Sequence, residues 1–241
     1  MKKKKAFTLA EVLITLGIIG IIAAMTLPTL VAKYKKLVIE TSLKKTYSEL
    51  QNLVKISEAA NGDWHEWDGS KPITRYVEQY FAPYIHLTRC NSKHQCFIPI
   101  PRSPFFGWYN PTATAQPGDL QETNSEFVTY NLNDGRSIMF QKEYHPDLNY
   151  VTLNIIVDVN GKRGRTVMGQ DVFVFSLCNF RGITDRLKVG PGASWSENFT
   201  TERLTTDCIK NLPYVLFKGS ACIHLLERNN WKFPKDYPIK F

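Results

Sequence analysis

At 241 residues and 27.6 kDa the chain has room for one medium domain with an appendage, or for two small domains. Thirteen prolines, fourteen glycines and 12% aromatic residues argue against a plain helical bundle and for a loop-rich β domain. Of the net charge of +8, half belongs to the lysines at positions 2–5, so the remainder is too weakly basic to single out a nucleic-acid binder.

Apolar residues make up 43% of the chain, yet mean hydropathy is −0.25, because the apolar weight is concentrated at the N-terminus. There, four lysines precede a stretch, residues 7–32, in which every residue except Glu11 is apolar, small or hydroxylic. As a helix rising 1.5 Å per residue, the uncharged part after Glu11 is long enough to cross about 30 Å of hydrocarbon. A carboxylate in such a span costs roughly 2.5–3.5 kcal/mol at the bilayer centre and less near an interface.

One reading is a secretory signal peptide cut near Ala23 and Ala24, but the apolar region is too long for one and contains a carboxylate. A plain signal anchor accounts for the lysines and the span and leaves Glu11 unexplained. A third reading comes from the string KKKKA followed by FTLAEVLITLGIIGIIAAMTLP, which resembles the N-terminus of type IV pilins and type II secretion pseudopilins.

That resemblance implies that a prepilin peptidase of the inner membrane cuts between Ala6 and Phe7 and methylates the new amine on Phe7. It implies that Glu11 is the assembly glutamate and Pro28 the helix-kinking proline. The family usually has glycine before the cut; here the residue is Ala6, which is also small. The chemistry is coherent: cleavage leaves a cationic amine on Phe7, methylation keeps its charge, and Glu11 meets the amine of a neighbouring subunit. Near the start of a helix the carboxylate also complements the helix dipole. The lysines on either side of the span nearly balance, so orientation rests on the resemblance and not on the positive-inside rule.

Residues 33–61 continue as an amphipathic helix, with Ile39, Leu43, Tyr47, Leu50 and Val54 on one face and Asn61-Gly62-Asp63 as the stop. Lys33, Lys35, Lys36, Lys44 and Lys45 form a basic patch, read as a solvated face beside a membrane. Residues 63–125 are expected to be irregular apart from a helical piece over 73–84, with a long loop rich in proline and aromatics over 99–117. His94 falls between Cys90 and Cys96, where a small disulfide loop explains the cysteines without a metal.

A β-meander follows. Residues 127–132 and 137–141 flank the hairpin turn Asn133-Asp134-Gly135, and residues 150–159 form a strand ended by Asn160-Gly161, read as a two-residue hairpin before the strand at 172–177. Asp158, Asn160 and Asp171 offer oxygen ligands in the manner of a calcium site. The full calcium loop is absent and the turn already explains two of the three, so calcium is the lesser reading. A short helix is expected over 220–228, with Pro234 and Pro238 barring regular structure beyond it.

The five cysteines form no C-x-x-C pair and have no zinc spacing. The pairings closest in sequence are Cys90 with Cys96 and Cys208 with Cys222, leaving Cys178 free; the sequence leaves the connectivity open. The histidines at 65, 86, 94, 145 and 224 show no metal spacing, and no nucleophile elbow, phosphate loop or dinucleotide fingerprint is present. No cofactor and no enzyme activity are expected.

Taken with the resemblance, these readings give an α+β, pilin-like fold. It comprises a leader (1–6), a transmembrane assembly helix (7–32), an amphipathic spine (33–61) and an extracytoplasmic head (62–241). The expected role is a pseudopilin or minor pilin of a type II secretion system or type IV pilus. Its expected partners are like subunits, prepilin peptidase, the inner-membrane assembly platform and lipid. The alternative is an anchored extracytoplasmic binding protein, such as a DNA-uptake pilin, although nucleic acid is not expected as a partner. The protein would sit in the bacterial inner membrane by a single pass, N-terminus cytoplasmic, before entering a periplasmic or surface filament.

Overall fold

The computed structural model describes residues 8–90, 125–148, 150–161, 167–178, 187–190, 199–209, 219 and 221–241. The chain divides into two units, one running to Val38 and including Phe241, the other Ile39–Lys240.

A single helix, α1 (Leu9–Asn61), passes through both. In the first unit no face of it is covered: Leu13, Ile14, Ile18, Ile22, Met25 and Leu30 are all exposed. An all-round apolar surface of this kind belongs inside a larger assembly or a bilayer. Its hydroxyl groups are satisfied within the helix itself. Thr15 Oγ1 donates to the carbonyls of Glu11 and Val12, and Thr26 Oγ1 to that of Ile22, each at 2.9 Å. Pro28 lies inside the helix, which continues past it.

In the second unit the same helix buries Ile39, Leu43, Thr46, Leu50, Leu53, Val54 and Ser57 along one stripe. Tyr47, expected on that stripe, is half-buried and lies between Phe175 (6.1 Å) and Trp231 (4.8 Å). The helix ends where the Asn-Gly pair demanded. Gly62 takes φ +83°, a left-handed conformation that glycine adopts without penalty, and its N–H donates to Glu58 O at 2.9 Å.

Helix α2 (Ile73–Tyr80) buries Ile73, Tyr76, Val77 and Tyr80 on one face. Trp67 stacks on Tyr80 with centroids 4.3 Å apart, and Phe81 links this aromatic cluster to Phe140 at 5.1 Å. A short 3-10 turn, Ala82–Tyr84, follows.

Among the described residues the sheet has six strands in chain order, β1 (Leu87–Arg89), β2 (Ser125–Leu132), β3 (Ser137–His145), β4 (Tyr150–Asp158), β5 (Val172–Cys178) and β6 (Lys188–Val189), every neighbour antiparallel. The turn at Asn133-Asp134-Gly135 joins β2 to β3 as expected, with Asn131 opposite Ser137 and Gly135 N–H donating to Leu132 O. All seven residues of β5 are buried, so this strand is covered on both faces.

One local expectation fails. Asn160-Gly161 does not close a two-residue hairpin, because Asp158 pairs with Val172 and the whole segment 159–171 lies between the two strands. The Asn-Gly pair is used inside that segment instead. Asp158 Oδ1 accepts the N–H of Asn160 at 3.1 Å and of Gly161 at 2.9 Å, and Gly161 takes φ +58°.

Helices α3 (Thr201–Ile209) and α4 (Cys222–Arg228) are joined by the Cys208–Cys222 disulfide, with Cα atoms 4.7 Å apart. Cys178 is a buried thiol outside any disulfide, and the Thr152 hydroxyl lies 3.8 Å from its Sγ. Cys90 is disulfide-bonded, while its expected mate Cys96 lies outside the described residues, as do His94 and the expected loop over 99–117.

Candidate functional site

The residues expected to carry function stand at the start of α1. Ala6 and Phe7 lie outside the described residues; Thr8 and Glu11 do not. The Glu11 carboxylate accepts two hydrogen bonds through Oε2, from the Thr8 backbone N–H and the Thr8 hydroxyl, both at 2.8 Å. Thr8 Oγ1 in turn accepts the Glu11 N–H at 3.3 Å. This is a capping box, in which an N-terminal Thr and a Glu three residues on satisfy each other's amides. The T-x-x-E spacing was visible in the sequence as the start signal of the helix, and reading the carboxylate as a lone charge missed it. Within one subunit the box fixes where Glu11 points and gives Oε2 its partners.

The second unit holds a different polar centre. Arg136, next to the β2–β3 turn, is buried. Its guanidinium donates to Asp134 (Nε to Oδ2, 2.9 Å), to Thr46 Oγ1 and to Glu49 Oε2. Lys45 adds an ion pair to Asp134 at 2.9 Å. Burial alone would raise the Asp134 carboxyl, but the hydrogen bonds and charges of Arg136 and Lys45 outweigh it and hold the group well below the usual carboxylate range. The cluster ties the spine part of α1 to the sheet. Arg136 lies 90 positions from Thr46 and 87 from Glu49, so no local pattern announced the cluster.

Asp158, Asn160 and Asp171 do come together. Asp171 Oδ2 accepts Asn160 Nδ2 at 2.8 Å, its Oδ1 accepts the Val167 N–H at 2.6 Å, and its backbone carbonyl accepts the Val159 N–H at 2.9 Å. These bonds join Val159 and Asn160 to Asp171, and Asp171 to Val167. Asn160 Oδ1 is left without a hydrogen-bond partner. Among the described residues no three His, Cys, Asp or Glu side chains converge as metal ligands. Burial pushes the Asp171 carboxyl up to about 6, against the opposing hydrogen bonds from Val167 and Asn160.

The described histidines are placed singly. His65 pairs with Asp63 at 2.6 Å on the surface, and His224, buried in α4, lies 3.7 Å from Glu227.

Two family descriptions match the chain. The prokaryotic N-terminal methylation motif covers residues 1–27. A family of unknown function (DUF6613) covers residues 29–96 and 113–241, most of the chain. The chain belongs to that family. Its N-terminus is that of a type IV pilin-like protein, and the long helix followed by an antiparallel sheet is the pilin-like architecture. No curated protein and no solved structure matches it. The methylation motif ends at residue 27, within α1, and the family of unknown function begins at residue 29, so the match to a head of unassigned role starts inside the helix.

Proposed function

We propose that the protein is a structural subunit, a pseudopilin or minor pilin, of a type II secretion system or type IV pilus. Prepilin peptidase cuts it between Ala6 and Phe7 and methylates Phe7. The mature chain polymerises through residues 7–32, and Glu11 is paired with the Phe7 amine of its neighbour. The observation that carries this reading is the methylation motif running without a break into a helix of 53 residues whose first part has no covered face.

Two further features support it. Among the described residues one helix, Leu9–Asn61, is long and apolar enough to cross a membrane. The second unit carries the Cys208–Cys222 disulfide, which suits a head outside the reducing cytoplasm. The assembly platform of the inner membrane and sibling subunits are the partners this role requires. The chain acts as a substrate of processing and has no catalysis of its own.

Intact-mass and N-terminal sequencing of the protein from its own membranes tests the reading. Methylated Phe7 at the N-terminus is the expected result. An intact Met1, or a cut near Ala24, overturns it.

A further inference from the structure

The lysines at 33, 35 and 36 follow directly on the apolar span, and the structure leaves them among exposed apolar side chains. Tyr34 is 67% exposed, Leu37 59% and Val38 45%. A lysine on an ordinary solvent-facing helix has a carboxylate within a turn, as Lys45 has Glu49 at 3.6 Å. Lys33 and Lys35 have none: each helical neighbour three or four positions away is apolar, a threonine or another lysine. Lys36 places its ammonium 4.9 Å from the ring centre of Phe241, a cation–π contact that brings an aromatic residue from the far end of the sequence to this level of the helix.

Two cations with no carboxylate within a helical turn and a third against an aromatic ring, set between exposed aliphatic and aromatic side chains at the end of an apolar span, have the composition of a membrane interface. The lysine stems lie along apolar surface while the ammonium groups reach the headgroups, and aromatic rings occupy the same depth. A nucleic-acid face would instead combine a basic groove with base-stacking rings, and it would gain nothing from exposed Leu37 and Val38. The charge therefore selects an anionic lipid.

We propose that Lys33, Lys35 and Lys36, with Tyr34 and Phe241, form a belt that binds anionic phospholipid of the phosphatidylglycerol class. It does so in the leaflet at the C-terminal end of the span. The inference rests on the reading that residues 7–32 cross a bilayer. Its consequence is a fixed depth. Glu11 lies 22 residues before Lys33, about 33 Å along a straight helix, close to the hydrocarbon thickness. Pinning the lysines in one headgroup layer puts the Glu11 carboxylate at the opposite boundary, at one height in every subunit, where a neighbour's amine can meet it. Removing a subunit from the membrane into a filament then requires breaking the belt.

The test uses the full-length chain in nanodiscs of phosphatidylcholine alone, or of phosphatidylcholine with phosphatidylglycerol as the minor component. Native mass spectrometry then counts the lipids retained on the protein. The expected result is incorporation into both discs, with phosphatidylglycerol enriched over its bulk share. Surface attraction amounts to roughly fivefold in affinity for each lysine near the headgroups. Lys33→Gln, Lys35→Gln and Lys36→Gln together bring the retained lipid back to the bulk ratio, while glutamines at positions 2–5 leave most of the enrichment in place. Enrichment that survives the triple substitution, that resides wholly in the leader lysines, or that duplex DNA competes away overturns the belt. Failure to enter phosphatidylcholine discs at all is a different outcome: it removes the membrane-spanning reading itself.

Discussion

The two parts of α1 are one helix made of similar residues in opposite circumstances. Leu13 is 61% exposed in the first unit, whereas Leu43 is fully buried in the second. Before residue 33 apolar side chains occupy every direction around the axis, and the hydroxyls of Thr15 and Thr26 turn back onto the helix. After residue 38 the apolar positions narrow to one stripe, and the buried polar groups Thr46 and Ser57 appear on it. A helix with a stripe is satisfied by its own sheet, while a helix apolar all round needs copies of itself or lipid. The first part thus carries the interaction and the second the stability.

Substitutions break or sharpen that contrast, and the largest effect is expected at Glu11. Glu11→Ala leaves the thermal unfolding of the second unit unchanged and abolishes incorporation into sheared filaments. Normal incorporation would remove the assembly role from the carboxylate.

Next in size is a matched pair. Leu43→Ala lowers stability against urea by about 2–5 kcal/mol, the usual cost of emptying a fully packed leucine site. Leu13→Ala, the same chemical change in the first unit, leaves the urea midpoint of the second unit where it was. Equal effects of the two would show that the contrast in burial is not a contrast in energetics.

Replacing Cys208 and Cys222 together by Ser costs about 3 kcal/mol in the loop-entropy model for a closure of 14 residues. The loss appears in chemical denaturation and leaves membrane insertion intact.

A smaller effect is expected from Asp171. Its folded carboxyl keeps its proton to about pH 6, whereas the unfolded group releases it near 3.8. Between those values the folded state binds more protons, so stability falls as pH rises through the window and stays at the lower level above it. Asp171→Asn flattens that part of the stability–pH curve; an unchanged slope would place the titration elsewhere.

The smallest is Thr8→Ala, which removes the hydroxyl half of the capping box and costs the first turn of α1 about 1 kcal/mol. It is read as faster amide exchange at residues 9–12 in detergent micelles.

Much of this was legible in the chain. The apolar run, Glu11, the stripe through Ile39 and Leu50, the Asn-Gly stop at 61–62 and the turn at 133–135 are local signals, and the elements follow them. The signals that misled were local too. Asn160-Gly161 has hairpin chemistry, but Asp158 uses it for a side-chain turn within a longer connection. The short edge strands β1 and β6 went unforeseen because three and two residues hold too little pattern for a period-2 signal. Helix α3 was missed although Thr200 Oγ1 accepts the Arg203 N–H at its start, a start signal of the same threonine kind as that of Thr8.

By itself, then, the sequence determined what depends on neighbours along the chain. It placed a run of lysines, an apolar span with its single carboxylate, the change from all-round to one-sided apolarity, and the turn residues that end elements. Tertiary structure decided what depends on groups far apart in the chain. It brought Arg136 to Thr46 and Glu49, chose Cys208 for Cys222, placed Phe241 against Lys36 and buried Asp171 deeply enough to push its carboxyl up to about 6. Periodicity and capping are set by bonds within one turn or one pair of strands, whereas burial and charge pairing are set by whatever the finished fold moves within a few ångströms.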